Sequence, residues 1–266
     1  MKSDPLFSIV MPCYQQAAFL KEAVRSVLDQ QGVDVELLVM DPGSTDGSRE
    51  LLLALKETYG ERLILHFAPD SGQSDAVNRG MALARGHILG WLNSDDRLRP
   101  GAIVRVADLL KKDTEPRWLY GRAGIIDEHG WPHASFIVRY KNWRGCRFSL
   151  LKLLTENFIA QMAVFWNRHM WDRAGGLNLS LALDMDYDLW LRFARVIEPV
   201  VLPVELADFR VHSTAKGSLQ TSEQLDAALS TARRHAVGLG IKGKAALFVH
   251  RLLSWRTRVI YHWLKP

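Results

Sequence analysis

The run Ile88-Leu89-Gly90-Trp91-Leu92 is apolar throughout and breaks abruptly into Asn93-Ser94-Asp95-Asp96. An apolar run of this length, entered from helix-like sequence and closed by polar residues, suits a strand buried on both faces of a parallel sheet. Open α/β sheets bind ligands beyond the carboxyl ends of such strands, which is where Asp95 and Asp96 are expected. Two adjacent carboxylates repel unless something neutralises them, and a hard divalent cation shared with a phosphate is one common solution. The alternative left open by these residues alone is that either Asp caps a helix starting near Pro100.

Three earlier runs repeat the pattern. Phe7–Pro12, Glu36–Met40 and Leu63–Phe67 read as strands, each followed by a polar loop and an amphipathic segment. Leu20, Ala23, Val24, Val27 and Leu28 recur at three and four, as one face of a helix does. The alternation β-α-β-α-β-α-β predicts a doubly wound sheet with its carboxyl-end loops on one edge. Those loops are Cys13 to Gln16, then Asp41 to Ser48, where Ser44 or Thr45 would cap the following helix. The third runs from Asp70 to Gly80, where a glycine-containing loop enters a helix whose backbone amides suit an anion; Gly86 would stop that helix.

With 48% of its 266 residues hydrophobic, the chain can bury one large core plus a small addition. Cys13 and Cys146 are far apart and lack metal-ligand spacing, which argues against a disulfide framework or a zinc site. No basic-then-apolar leader opens the sequence and no apolar stretch of about 18 residues could span a bilayer, so a cytoplasmic protein is expected. The formal charge of +5 is unevenly placed: residues 216–266 hold only two acids, Glu223 and Asp226, against nine Lys and Arg. Such a block suits an anionic partner or a solvated face. Nothing resembles a nucleic-acid recognition motif, and no nucleic-acid partner is expected.

The loops, taken in order, resemble a family. Ser8 to Tyr14, Met40 to Ser48, Asp70-Ser71-Gly72-Gln73-Ser74-Asp75-Ala76-Val77-Asn78-Arg79-Gly80 and Trp91 to Asp96 are similar to the corresponding stretches of family 2 glycosyltransferases. The resemblance implies the α/β GT-A fold, a mostly parallel sheet flanked by helices, and transfer of a sugar from a nucleoside-diphosphate sugar to an acceptor hydroxyl with inversion. It implies Asp96 as ligand of a divalent metal, Mn²⁺ or Mg²⁺, with Asp95 reaching the metal or the ribose. Pro12, Tyr14, Asp41, Asp75 and Asn78 would line the donor pocket. Pro42 stands where many members carry an acid that contacts the base, so the nucleotide is left open.

Further along, a helix is expected from Pro100 to Lys111, a strand from Trp118, a hairpin over Arg122–Arg139 turning at Asp127–Gly130, and a strand at Ala163–Trp166. Trp143, Arg144, Arg147, Phe148 and Leu150–Leu154 read as helix core or as an acceptor-facing flap. The helix from about Leu183 carries Asp184, Asp186 and Asp188, and residues two apart point about 200° apart, so these acids cannot share one face. By resemblance Asp186, ahead of Tyr187-Asp188-Leu189-Trp190, is the catalytic base, with Asp184 the fallback; otherwise Asp184 and Asp188 are first-turn acids favoured by the helix dipole. Arg192 is expected to pair with an acid. After a strand at Val200–Leu202, the polar loop from Asp208 to Ser218 resembles the family's loop that closes over the diphosphate, which implies roles there for Arg210, for His212 as a further metal ligand, and for Lys216.

The expected organisation is therefore a glycosyltransferase domain over 1–218, its nucleotide-sugar half 1–100 and its acceptor half 101–218, followed by basic amphipathic helices over 219–266. In the last helix Phe248, Val249, Leu252, Trp255 and Val259 fall at helical spacing beside Lys244, Arg251, Arg256 and Arg258. That suits the inner face of the cytoplasmic membrane, with a sugar or lipid-linked glycan as acceptor, or docking on the catalytic domain or a second subunit. The competing expectation for the whole chain is a non-catalytic nucleotide-sugar or membrane-surface binding module of the same fold.

Overall fold

A computed structural model describes residues 4–111, 114–133, 136–213 and 221–264. The first four strands are β1 (Phe7–Pro12), β2 (Val35–Asp41), β3 (Leu63–Phe67) and β4 (Ile88–Trp91). They are joined by α1 (Ala17–Leu28), α2 (Ser48–Tyr59) and α3 (Gln73–Leu83). β1 lies between β2 and β4 and runs parallel to both, and β3 extends the parallel half beyond β2. Leu20, Ala23, Val24, Val27 and Leu28 of α1 are all buried, so the helical spacing read from the sequence is the packed face.

The second half departs from parallel order. β5 (Arg97–Leu98), β6 (Trp118–Ile126), β7 (Val164–Asn167) and β8 (Val200–Arg210) complete an eight-stranded sheet of order β3-β2-β1-β4-β7-β6-β8-β5. β7 is antiparallel to β4 and β6, and β5 is antiparallel to β8. The architecture is a mixed α/β sheet with helices on its faces. α4 (Ala102–Leu110) follows β5 after Gly101, so neither Asp95 nor Asp96 caps it.

Three local expectations are corrected. The hairpin over 122–139 reduces to one bridge, Ile126 to Pro132, because Pro132 has no N–H to continue a ladder; the chain then forms α5 (Phe136–Arg144). The strand expected at 200–202 continues to Arg210, so Asp208 and Arg210 are strand residues and not loop residues. Gly86 has no left-handed φ and does not end α3; a Cβ there would sit 2.5 Å from the backbone nitrogen of Ser8. Backbone cannot give way as a flexible side chain can, so Gly86→Ala is expected to cost about 1–3 kcal/mol in a denaturant titration. Gly43→Ala, with open space around it, would show only its φ strain.

α6 (Leu150–Thr155), α7 (Arg168–Ala174), α8 (Met185–Val196), α9 (Thr221–Ala236) and α10 (Gly240–Leu264) build the other face. Trp118 stacks on Trp190 with centroids 6.1 Å apart, and Trp166 and Phe193 close around them, fixing α8 against β6 and β7. Leu153 and Leu154 are core, whereas Trp143 is 68% exposed, so the 140–161 region divides between packing and surface. α9 and α10 dock on this core: Ala232 and Ala246 are buried in it, and the buried His250 ring donates from Nδ1 to the Leu154 carbonyl at 2.8 Å. Among the described residues no helix is long and apolar enough to cross a membrane.

Candidate active site

The pairing of β1 with β2 and β4 sets the site. Cys13 N donates to the Met40 carbonyl and Leu92 N to the Val10 carbonyl, so the loops after the three strands emerge side by side at one sheet edge. They bind each other. The Ser44 hydroxyl accepts from Gln15 N at 2.9 Å, Ser48 Oγ accepts from Gln16 N at 3.2 Å, and Asp46 accepts from Ala17 N at 2.9 Å. Ser44 thus serves the start of α1, and Asp46 serves both helices, its other oxygen accepting from Ser48 N at 3.1 Å where α2 begins after Gly47 with its left-handed φ. Gln15, between Tyr14 and this clamp, also holds a positive φ of 55°. Such conformations persist where surrounding hydrogen bonds over-determine them.

These loops line an open cleft of about 530 Å³, a volume suited to a small organic ligand. Pro12 and Tyr14 form one wall, Gly72 and Gln73 at the start of α3 another, and Asn93, Ser94 and Asp95 the floor. Asp70 and Pro42 lie at its edge. Cys13 also lines it, with its side chain in the core, where burial pushes the thiol pKa up to about 12, aided by the charge of Asp41.

The two carboxylates of the Asp95-Asp96 pair part company. Asp95 reaches the cleft, and its Oδ2 lies 3.2 Å from His212 Nε2. Asp96 is 1% exposed and accepts from Arg210 N at 3.0 Å and from Asn93 Nδ2 at 3.4 Å. Its pKa is raised well above the carboxylate range, first by burial and then by the charge of Asp95. Arg210, itself 1% exposed, donates to the carbonyls of Asp95 and Asp127 and pairs with Glu22 at 2.5 Å. Arg97 bridges Glu22 and Asp208 beside it. Arg210 therefore braces the Asp95 turn from behind.

Asp41, Asp75 and Asn78 have internal partners. Asp41 accepts from Gly43 N, Ser44 N and Arg49; burial opposes its ionisation, but these bonds win and hold its pKa below the usual value. Asp75 accepts from Ser71 N and pairs with Arg79, which likewise lowers its pKa. Asn78 donates to the Leu177 carbonyl and accepts from Leu177 N, so it ties the 175–177 turn to α3. None of the three contributes to the wall of the cleft. Asp70, Gln73 and Asn93 do, and the sequence reading gave none of them a role of its own. Their signal was present: Asp70 and Asn93 lie in loops at strand ends, and Gln73 opens α3 and donates to Asn93 at 2.8 Å.

The acids of α8 separate by environment. Asp188 meets Arg192 and His235 at 2.9 Å each, and these bonds outweigh its burial and keep its pKa low. Asp184 is buried and accepts from the Thr231 hydroxyl of α9. Among the described residues neither Asp184 nor Asp186 has a contacting cation, and Asp186 meets only the Asn157 amide and the Tyr187 N–H. Its Oδ2 accepts a long 3.4 Å bond from Asn157, and its pKa is raised, chiefly by burial. Asn157 and Gln161 lie on one short connection, and Gln161 donates at 2.6 Å to the Trp91 carbonyl, a few residues ahead of Asp95. Asn157 Oδ1 is buried with no partner among the described residues.

A family model for glycosyl transferase family 2 matches residues 8–169. The chain belongs to the family 2 glycosyltransferases. Two similar sequences set the range within this family. A PGL/p-HBAD biosynthesis glycosyltransferase of Mycobacterium tuberculosis is 33% identical over 190 residues, covering 71% of this chain and 69% of that one. The chondroitin synthase of Pasteurella multocida is 31% identical over 194 residues, 72% of this chain but 19% of that one. Among solved structures, Staphylococcus aureus TarS 1–349 in complex with UDP-GlcNAc superimposes with a TM-score of 0.66 at 14% identity, over 90% of this chain and 69% of that one. The mannosyltransferase PcManGT of Pyrobaculum calidifontis, in complex with GDP-Man and Mn²⁺, gives 0.68 at 16%, over 94% and 74%. This glycosyltransferase has their GT-A fold.

Whether a divalent cation suits the site can be judged from its donors. Among the described residues no three His, Cys, Asp or Glu side chains converge as a self-sufficient metal site. Asp95 nevertheless presents a carboxylate to the cleft, with His212 Nε2 3.2 Å from it and the Asp96 carboxyl group buried behind. Two protein donors completed by phosphate oxygens and water fit a hard cation that arrives with its nucleotide. Thr214 and Lys216, the remainder of the expected closing loop, lie outside the described residues.

Proposed function

We propose that this glycosyltransferase moves a sugar from a nucleoside-diphosphate donor, held in the 530 Å³ cleft, to an acceptor hydroxyl with inversion at the anomeric carbon. The observation that carries this reading is the contrast between Asp95 and Asp186. One carboxylate stands at the cleft floor beside His212, and the other is a cation-free acid of raised pKa at the start of α8. In this reading Asp186 takes the acceptor's proton as its oxygen attacks, and Asn157 orients Asp186. Tyr14 and Pro12 hold the nucleotide, while Asp95 and His212 hold Mn²⁺ or Mg²⁺ with Asp96 supporting from behind. When bound, the cation offsets charge on the departing diphosphate. Arg210 keeps the Asp95 turn in place. The acceptor is a sugar or a lipid-linked glycan, and a lipid-linked acceptor would bring the enzyme to the inner face of the cytoplasmic membrane.

The test is a panel of UDP-, GDP- and dTDP-sugars with Mn²⁺ or Mg²⁺, scored for released nucleoside diphosphate and, by calorimetry, for donor binding. Release from one donor that EDTA abolishes is the expected result. Asp95→Asn should weaken donor binding by about tenfold or more in the presence of metal and leave metal-free binding nearly unchanged. Tight donor binding with no release, with or without a range of acceptors, would instead make the protein a binding module.

A further inference from the structure

The last helix has two faces of opposite character. The side that docks on the domain is mostly small or polar: Gly243, Ala246, His250 and Ser254 are buried against α6 and α9, with Leu247 partly buried at the edge of the contact. The side pointing away carries the large apolar groups. Ile241 is 86% exposed, Phe248 61%, Leu252 50% and Trp255 66%, and Val259 continues the stripe. Their spacings of seven, four, three and four residues place them along one line of an α-helix. A helix that needed only to pack on its domain would carry the reverse arrangement.

Charge frames the stripe. Lys244, Arg251 and Arg258 recur at seven along one edge and Lys242 and Arg256 flank the other, and no Asp or Glu occurs from 240 to 266. Arg258 also meets Asp226 of α9. On the other edge the Arg256 guanidinium sits over the Tyr140 ring of α5 at 5.3 Å, and the exposed Trp143 lies 6.1 Å beyond Tyr140. The apolar and basic surface thus continues onto a second element. A second copy of the same face would bring these bases against one another, and the helix itself carries no acid to answer them. An anionic bilayer matches both features, accepting the apolar stripe below the headgroups and pairing the bases with lipid phosphates.

We infer that the outer face of α10, extended by Trp143, is an interfacial surface that seats the protein on an anionic membrane. The inference rests on the proposed membrane-borne acceptor for its purpose, but the surface acts without turnover and is tested without it. The intact protein is sedimented with vesicles of phosphatidylcholine alone or mixed with phosphatidylglycerol, at low and high salt. Binding to the mixed vesicles, weakened by salt, is expected, with at least about a tenfold loss of affinity for L252S/W255S and for K244Q/R251Q. Both pairs are exposed, so unfolding temperature and donor binding should not move; I241S/F248S repeats the apolar test on the same line if the first variant folds poorly. Unchanged vesicle binding by the apolar variants would overturn the inference, as would absence of binding by the parent protein. So would preferential binding to RNA, or a dimer in sedimentation equilibrium that L252S/W255S dissolves. The donor panel is read separately, so inactive protein that still binds vesicles counts against the catalytic reading alone.

Discussion

Asp186→Asn is expected to reduce turnover by about 10²–10⁴-fold, the usual contribution of a positioned general base, with donor affinity within a few fold of the parent. The same substitution should leave the unfolding temperature at neutral pH unchanged or raise it. An ordinary Asp titrates near 3.9, and burial raises Asp186 above that. The folded state therefore holds this proton more tightly than the unfolded chain does. As pH rises from the unfolded value through the raised folded value, ionisation of Asp186 costs stability, and above both values that cost is fully present. A neutral Asn removes it. Activity should follow the opposite course, because the base works only when ionised. The acid limb of kcat/KM should fall at a pH above that of an exposed carboxylate and vanish in the residual activity of the Asn variant. Full activity in D186N, or a marked drop in its stability, would sink the assignment and turn attention to Asp184, which the Thr231 hydroxyl already engages.

Arg210→Met is expected to destabilise the protein by about 2–4 kcal/mol, measured by urea titration, since it removes one partner from a buried ionic and carbonyl network. Methionine keeps much of the volume, so the loss would report hydrogen bonding more than packing. The side chain is enclosed, stacks over Phe19 at 5.0 Å, and satisfies the carbonyls of Asp95 and Asp127 together with Glu22. Without it the Asp95 turn loses its brace, and donor binding in the presence of metal should weaken while metal-free binding changes less. A variant as stable as the parent would show that Arg97, which also pairs with Glu22, suffices to hold this corner. Glu22→Gln offers a milder comparison, because Glu22 is 41% exposed and water can replace it.

Much of the nucleotide half was legible because its signals are local. Each apolar run is long enough to be a buried strand, each following segment has helical spacing, and each loop is rich in turn formers. Asp95 at the end of such a run and Tyr14 behind Pro12 could be placed at the carboxyl edge from order alone. What could not be read was which acids the fold would use internally. Asp41 and Asp75 look like ligand contacts in one dimension, yet Asp41 Oδ1 is taken by amides two and three residues away plus Arg49 while its Oδ2 is buried with no partner among the described residues, and Asp75 is taken by Ser71 and Arg79. The hairpin expected after β6 failed for a similar reason. Asp127 accepts from both His129 N and Trp131 N, which closes the turn on itself, and Pro132 ends the ladder.

The sequence by itself determined the α/β class, the strand and helix alternation of the first hundred residues, the edge on which a ligand would bind, and membership in a glycosyltransferase family. Those follow from periodicity, chain direction and loop wording, all of which survive without knowledge of distant contacts. Only the tertiary structure decided which member of each acidic cluster remains accessible. Asp95 faces the cleft while Asp96 is enclosed, because β8 runs alongside β5 and brings Arg210 N to the Asp96 carboxylate. Asp186 is left without a contacting cation while α9 supplies His235 to Asp188 and Thr231 to Asp184 from some forty residues away. The same docking decided the last helix, whose small residues turn inward to fit α6 and thereby leave Leu252 and Trp255 outside. Burial and pairing between residues remote in sequence set these outcomes, and neither quantity exists until the chain has folded.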